Sequence, residues 1–196
     1  MTQSDAYLSL NAKTRFRDRT GNYHFTSDKE AVEQYMIEHV EPNTMVFTSL
    51  IEKLDYLVSN NYYESDLLKQ YNLEFICQIF EHAYAKKFAF LNFMGALKFY
   101  NAYALKTEDN RYYLEHYEDR VVMNALFLAA GDEKAAYDLV DDMLANRFQP
   151  ATPTFLNAGK KRRGEYISCY LLRIEDNMES ISRAISLSLI HISDGA

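Results

Sequence analysis

Cys169 is the residue of this chain whose type and position are best suited to chemistry. It follows Ser168 in a short apolar segment, downstream of a Thr-Pro-Thr sequence at 152–154. A thiol there could belong to a redox dithiol, act as a nucleophile or fill space in the core. No histidine lies near it in the sequence to activate it as a protease-type nucleophile. Because cysteine is among the residues most often buried, packing is favoured when these residues alone are considered.

The polar stretch before Cys169 offers groups that suit a phosphate or a sugar. Thr152 and Thr154 supply hydroxyls, and the run KKRR at 160–163 adds positive charge. Hydroxyls, loop N–H groups and cations are common partners of phosphate oxygens. An ordinary solvated loop explains the same residues, and the sequence pattern by itself favours that interpretation.

The remaining candidate residues have structural interpretations. Asp176, with Glu179 three positions later, predicts a capping box at the start of a helix. Cys77 falls on the apolar face of a predicted helix, so we expect it in the core. The five histidines are scattered without the spacing of metal ligands, and the sequence predicts no metal site.

Apolar residues recur at helical spacing along most of the chain and predict a mainly α protein. A helical domain is predicted over 1–147. Two prolines then interrupt the pattern, so the stretch QPATPTFLNAG at 149–159 is predicted as a loop. Residues 165–174 (EYISCYLLRI) predict a buried strand. A helix follows, and its predicted buried face carries Ile181, Ala184, Ile185 and Leu189.

One strand and one helix cannot form a sheet-based core without partner strands. Residues 148–187 therefore predict the opening of an α/β unit. We expect the chain to be part of a longer protein that supplies the other strands.

Composition disfavours several classes of protein. A net charge of -7 and a pI of about 5.3 disfavour a general nucleic-acid binder. No window reaches the roughly 18 apolar residues of a membrane span, and the first residues lack the apolar region of a signal peptide. Two cysteines do not make a disulfide framework. We therefore expect a cytoplasmic protein in which any cysteine function is redox or catalytic.

The string QPATPTFLNAGKKRRGEYISCYLLRIEDNMESISRA closely resembles the start of the catalytic barrel in class Ib ribonucleotide reductase large subunits. Upstream, EKLDYLV, NNYYE, AYAKKFAF, KFYNAYALKT and YEDRVVMNALFLAAGD resemble the helical N-terminal domain of that family. The resemblance runs from about residue 24 to about residue 187. It implies a helical domain over 1–147 and the first strand and helix of a ten-stranded α/β barrel over 148–187. The tail at 188–196 does not match the family.

The resemblance implies reduction of ribonucleoside diphosphates to deoxyribonucleoside diphosphates. In this family a dimetal small subunit supplies a radical, a thiyl radical abstracts a ribose hydrogen, and a cysteine pair supplies two electrons as the 2′-hydroxyl leaves as water. Cys169 resembles the first cysteine of that pair. The resemblance therefore favours a redox role for Cys169 over a packing role in the core. Thr152 and Ser168 resemble substrate-binding positions. Asp176 resembles a contact of the nucleoside triphosphate effector that sets substrate specificity.

The resemblance also implies partners. These are the radical-generating small subunit, a thioredoxin- or glutaredoxin-like reductant and a second copy of the large subunit. The radical cysteine and the second cysteine of the pair belong downstream of this chain in the family, so we expect the chain alone to be inactive, with no cofactor bound. A different class of function, a non-catalytic helical module that binds a protein partner, would also fit the many apolar helical stripes.

Overall fold

The computed structural model describes residues 15–17, 23–25, 29–167, 169 and 171–194. Strands β1 and β2 pair antiparallel, with Arg15 opposite Phe25 and Arg17 opposite Tyr23. Helices make up most of the remainder, and π-helical turns extend α1 and α5. The elements are β1 (Arg15–Arg17), β2 (Tyr23–Phe25), α1 (Lys29–Tyr35), α2 (Leu50–Ser59), α3 (Ser65–Leu68), α4 (Leu73–Ala85), α5 (Phe93–Lys98), α6 (Tyr117–Ala129), α7 (Glu133–Leu144), α8 (Thr152–Asn157) and α9 (Met178–Asp194).

Side-chain caps fix where several helices begin. Ser49, Asn72, Asn92 and Asp132 each accept a hydrogen bond from the backbone N–H three residues further along. These four caps satisfy N–H groups that have no partner within the helix itself.

The mainly helical class predicted from the sequence is confirmed, because helices make up most of the described residues.

Helix α6 lies at the centre of the core and packs against α3, α4, α7 and α8. Its first ten residues are almost all buried, including Asp119, Arg120 and Asn124. Buried polar side chains need partners inside the protein. Two of these partners, the carbonyls of Phe155 and Ala158, belong to α8 and the residue after it, so this buried helix also positions the candidate site.

The loop predicted over 149–159 is wrong in part, because Thr152–Asn157 forms the short helix α8. Pro153 lies in the first turn of this helix. A proline is tolerated there because the N–H that it lacks has no acceptor within the helix. The sequence rule that prolines break helices applies to a helix interior and fails at a helix start.

The buried strand predicted over 165–174 is not observed among the described residues. The described residues of this segment form no strand, and Ile167 and Leu171 are 71% and 101% exposed. A strand needs ladder hydrogen bonds from a neighbour, whereas β1 and β2 pair with each other. The apolar composition of the segment suits burial, but the described part of the chain offers it no partner strand.

Helix α9 confirms the last predicted helix and corrects its cap. Asn177, not Asp176, accepts the hydrogen bond from the N–H of Ser180, at 2.8 Å. Of the predicted apolar face, Ala184 is buried, whereas Ile181 and Ile185 are exposed. In the part of the chain that the structure describes, no helix combines the length and apolar character needed to cross a membrane.

Candidate functional site

The predicted substrate threonine, Thr152, begins helix α8 and is exposed. Its hydroxyl lies 3.4 Å from the hydroxyl of Tyr103. Both residues border a cavity of about 360 Å³ whose walls include the aromatic rings of Phe99, Tyr117 and Phe155. Phe155, on α8, is buried against Tyr103 and Tyr117, with ring centroids 5.7 and 5.9 Å away. This aromatic packing seats α8 on the helical domain and leaves Thr152 open to a ligand.

Polar groups of α6 hold the carbonyl end of α8. Asn124 donates from Nδ2 to the carbonyl of Phe155, at 3.1 Å, and to the carbonyl of Arg120, at 2.8 Å. The guanidinium of Arg120 donates to the carbonyl of Ala158, just after the helix. Carbonyl groups at a helix end have no partner within the helix. Arg120 and Asn124 therefore tie α8 to the centre of the core.

A fully buried carboxylate balances the charge of Arg120. Nη1 of Arg120 lies 3.2 Å from Oε1 of Glu115. The same carboxylate accepts hydrogen bonds from the hydroxyl of Tyr63, at 2.7 Å, and from the N–H of Leu105, at 3.0 Å. Burial, followed by the nearby charge of Glu115, raises the pKa of Tyr63 well above its usual value. The phenol therefore stays protonated and remains a donor to Glu115.

Lys160 is buried beside this ion pair. Its ammonium donates to the carbonyl of Tyr103, at 3.1 Å. Burial lowers the pKa of Lys160 to about 8; Glu115 opposes this shift and Arg120 adds to it. Lys160 therefore links the segment after α8 to Tyr103, the residue whose hydroxyl approaches Thr152.

After α8 the chain turns at Gly159 and doubles back along the helix. The side chain of Asn157 donates to the carbonyl of Glu165, at 2.9 Å, and accepts from the N–H of Gly164, at 3.1 Å. The hydroxyl of Thr154 donates to the carbonyl of Tyr166, at 3.4 Å. One face of α8 thus holds the backbone that leads to Cys169.

The basic run 160–163 has partners within the protein. Arg162 pairs with Glu108, and Arg163 pairs with Glu64 at 2.8 Å. The guanidinium of Arg163 also lies 5.4 Å from the ring centroid of Tyr166. With Lys160 buried, Lys161 is the member of the run that remains most available to a phosphate. The run therefore chiefly fixes the loop after α8. The sequence analysis anticipated either phosphate binding or a solvated loop, and neither of these includes such ion pairs.

The other predicted site residues occupy the segment between α8 and α9. Cys169 is exposed, and neither cysteine forms a disulfide within the described residues. Ser168 lies outside the described residues. Asp176 is exposed just before α9. Cys77, predicted as core, is only partly buried on α4.

Sequence reasoning missed the buried polar cluster of Glu115, Arg120, Asn124, Asn157 and Lys160. One signal was present, because Arg120 and Asn124 are spaced by four residues inside an otherwise apolar helical stretch. Charged residues on a face that must be buried indicate partners inside the protein. Within the described residues, no group of three or more potential metal ligands comes together.

Comparison with known proteins places the chain in a family. Residues 7–88 match the family model described as "Ribonucleotide reductase N-terminal", and residues 89–163 match "Ribonucleotide reductase, all-alpha domain". The ribonucleoside-diphosphate reductase subunit alpha of Mycoplasma pneumoniae is 57% identical over 96% of this chain, and that of Mycoplasma genitalium is 55% identical over 94%. The corresponding subunit of Bacillus subtilis is 49% identical over 95%.

The chain spans about a quarter of the length of these relatives, namely 26%, 25% and 27%. Both family models describe N-terminal or all-helical parts of the reductase, in agreement with the helical fold. The chain belongs to the ribonucleotide reductase family and corresponds to the N-terminal region of its alpha subunit.

Proposed function

We propose that this chain forms the N-terminal part of the catalytic subunit of a cytoplasmic class Ib ribonucleotide reductase. The complete subunit reduces ribonucleoside diphosphates to deoxyribonucleoside diphosphates for DNA synthesis. The observation that carries the proposal is the identity of 49–57% to ribonucleoside-diphosphate reductase alpha subunits over nearly the whole chain. Residues from 148 onwards begin the catalytic barrel, whose remaining strands would pair with and cover the exposed segment 165–174.

Cys169 is one of the two thiols that reduce the substrate. Replacing the 2′-hydroxyl by hydrogen consumes two thiols and yields one disulfide and one water, so electrons and protons balance. The exposure of Cys169 supports this role, because a reducing thiol has to be accessible to its substrate. Thr152 and Ser168 contact that substrate, and the exposed hydroxyl of Thr152 at the rim of α8 suits a polar ligand.

The remaining partners follow from the same proposal. A dimetal small subunit supplies the radical, and a thioredoxin- or glutaredoxin-like protein reduces the disulfide. Asp176 contacts a nucleoside triphosphate effector. A second copy of the subunit completes a homodimer, and the exposed apolar side chains of α9 support an association of this kind.

The proposal is tested by assaying diphosphate reduction with the complete reading frame that contains this chain, a radical-supplying small subunit and a dithiol. Cys169→Ser should abolish multiple turnover, because serine cannot form the disulfide. Cys77→Ser is the matched control and should keep the activity of the parent enzyme, since Cys77 lies on α4, away from α8. Full activity in Cys169→Ser would overturn the assignment of Cys169, and an inactive parent enzyme would overturn the proposed function.

A further inference from the structure

Asn157, the last residue of α8, makes an unusual pair of contacts for a side chain at a helix end. Its Nδ2 donates to the carbonyl of Glu165 and its Oδ1 accepts from the N–H of Gly164. The side chain is buried, with 9% of the residue exposed. The two bonds have opposite polarity and reach two consecutive residues. The two ends of a side-chain amide, an N–H donor and a carbonyl acceptor, match this pair of contacts.

These bonds close the loop between α8 and the segment of Cys169. Other contacts hold residues 158–163: the N–H of Lys161 donates to the carbonyl of Tyr62, at 2.9 Å, and Arg162 and Arg163 pair with Glu108 and Glu64. Those contacts anchor the far end of the loop. Asn157 anchors the returning end and directs the backbone along α8 instead of away from it.

The hydroxyl of Thr154, one turn earlier on α8, continues the same row of contacts with its bond to the carbonyl of Tyr166. The ring of Tyr166 stacks on Phe127 of α6, with centroids 4.8 Å apart. The returning segment is therefore held against both α8 and α6. Three residues after Tyr166 the chain reaches Cys169.

We propose that Asn157 is a positioning residue for the reductive step: its amide fixes the path of the chain between Thr152, at the start of α8, and Cys169. This inference rests on the proposed function. Asn157 touches neither the substrate nor the thiol. It sets the spacing between the residue that binds the substrate and the sulfur that reduces the substrate. The rate of a reaction between two positioned groups falls steeply when their spacing is lost.

Asn157→Asp isolates the donor. The variant keeps the size and the acceptor oxygen but places a carboxylate oxygen against the carbonyl of Glu165. When the carboxyl group is protonated its O–H can donate to that carbonyl, so acidic pH restores the missing bond. Asn60→Asp is the matched control. Asn60 donates from Nδ2 to the carbonyl of Tyr56, at 2.8 Å, on the exposed end of α2.

The test uses the complete enzyme. For each variant kcat and KM are measured, together with the rate at which deoxynucleotide forms in a single turnover without added dithiol. We expect Asn157→Asp to lower kcat about tenfold or more at about pH 8, with KM changed less. At about pH 6 its activity relative to the parent enzyme should recover in part, because burial and the adjacent carbonyl of Glu165 raise the pKa of the new carboxyl group above its usual value of about 3.9. Asn60→Asp should keep the parent values at both pH values.

Three results would decide against the inference. A parent-like kcat in Asn157→Asp overturns it. So does a lower melting temperature accompanied by an unchanged single-turnover rate per folded subunit, because the role is then one of stability alone. An inactive parent enzyme, or a fully active Cys169→Ser variant, overturns the proposed function and the inference together, and these outcomes are distinct from the first two.

Discussion

The guanidinium of Arg120 lies 3.2 Å from the carboxylate of Glu115, and both side chains are fully buried. Taking two charges out of water costs free energy, which the attraction between them repays only when further hydrogen bonds complete the site. Here the hydroxyl of Tyr63 and the N–H of Leu105 donate to the carboxylate. The guanidinium donates to the carbonyl of Ala158. Removing either member would leave the other as a buried charge without its counter-charge.

Replacing Arg120 by methionine should destabilise the chain strongly. Glu115 would keep its two neutral donors but lose its counter-charge while remaining buried. Breaking a buried ion pair on one side costs about 3–5 kcal/mol. We expect a loss of this size in the free energy of unfolding, measured by urea denaturation with circular dichroism.

Lys134→Met is the control for the loss of one cation. Lys134 and Asp138 form an ion pair on the exposed side of α7, at 3.6 Å. Pairs of this kind contribute about 0.3–0.5 kcal/mol. An Arg120→Met variant that loses no more stability than Lys134→Met would show that the buried pair does not hold α8.

Gly159→Ala should destabilise the turn after α8 for two reasons. Gly159 has a φ of 72°, in the left-handed region that disfavours a side chain. An added Cβ would also lie 2.6 Å from Cε of Met123 and 3.2 Å from Cδ2 of Leu67. We expect a loss of about 2–4 kcal/mol, the sum of backbone strain and overpacking, in thermal or urea unfolding.

Gly131→Ala separates these two causes. Gly131 also has a positive φ, of 96°, but a Cβ there meets no atom within 4 Å among the described residues. It should therefore show the cost of strain alone, about 1 kcal/mol. Equal losses in the two variants would contradict the crowding that we attribute to Gly159.

The buried ammonium of Lys160 should make stability depend on pH. Its pKa of about 8 in the folded chain lies below the value of about 10.4 expected when unfolded. Below about pH 8 both states carry the proton and the full cost of burying the charge applies. As the pH rises from about 8 to about 10, the folded chain releases the proton while the unfolded chain keeps it, so stability rises.

Lys160→Met removes this titration and leaves the other titrating groups in place. The difference in unfolding free energy, parent minus variant, should increase between about pH 8 and about pH 10. Urea denaturation at several pH values measures it. A difference that stays constant or decreases over this interval would show that Lys160 does not titrate with a lowered pKa.

Much of the helical part was predictable, because Phe75, Ile79 and Phe80 on α4 repeat at a spacing that only a helix brings to one side. The segment around Cys169 was not, because a strand depends on neighbours that a local pattern cannot specify. Asn157 and Lys160 resembled ordinary polar loop residues. They are buried because the chain turns at Gly159 and folds back along α8. Local composition does not predict that the chain folds back there.

The exposed apolar side chains after α8 should make this chain self-associate. Leu171 is fully exposed, and Ile185 on α9 is 55% exposed. Several large apolar side chains exposed in one part of the chain indicate a surface that contacts other protein. We expect the average mass of the 196-residue chain to rise with concentration in light scattering after size-exclusion chromatography.

A Leu171→Glu, Ile185→Glu double variant should remain monomeric at the same concentrations, because association would then bury two carboxylates without partners. Val46→Glu is the control, since Val46 is equally open to solvent but lies before α2, outside this segment. It should associate like the parent chain. A parent chain that stays monomeric would contradict the predicted self-association. Association that persists in the double variant would show that another surface mediates it.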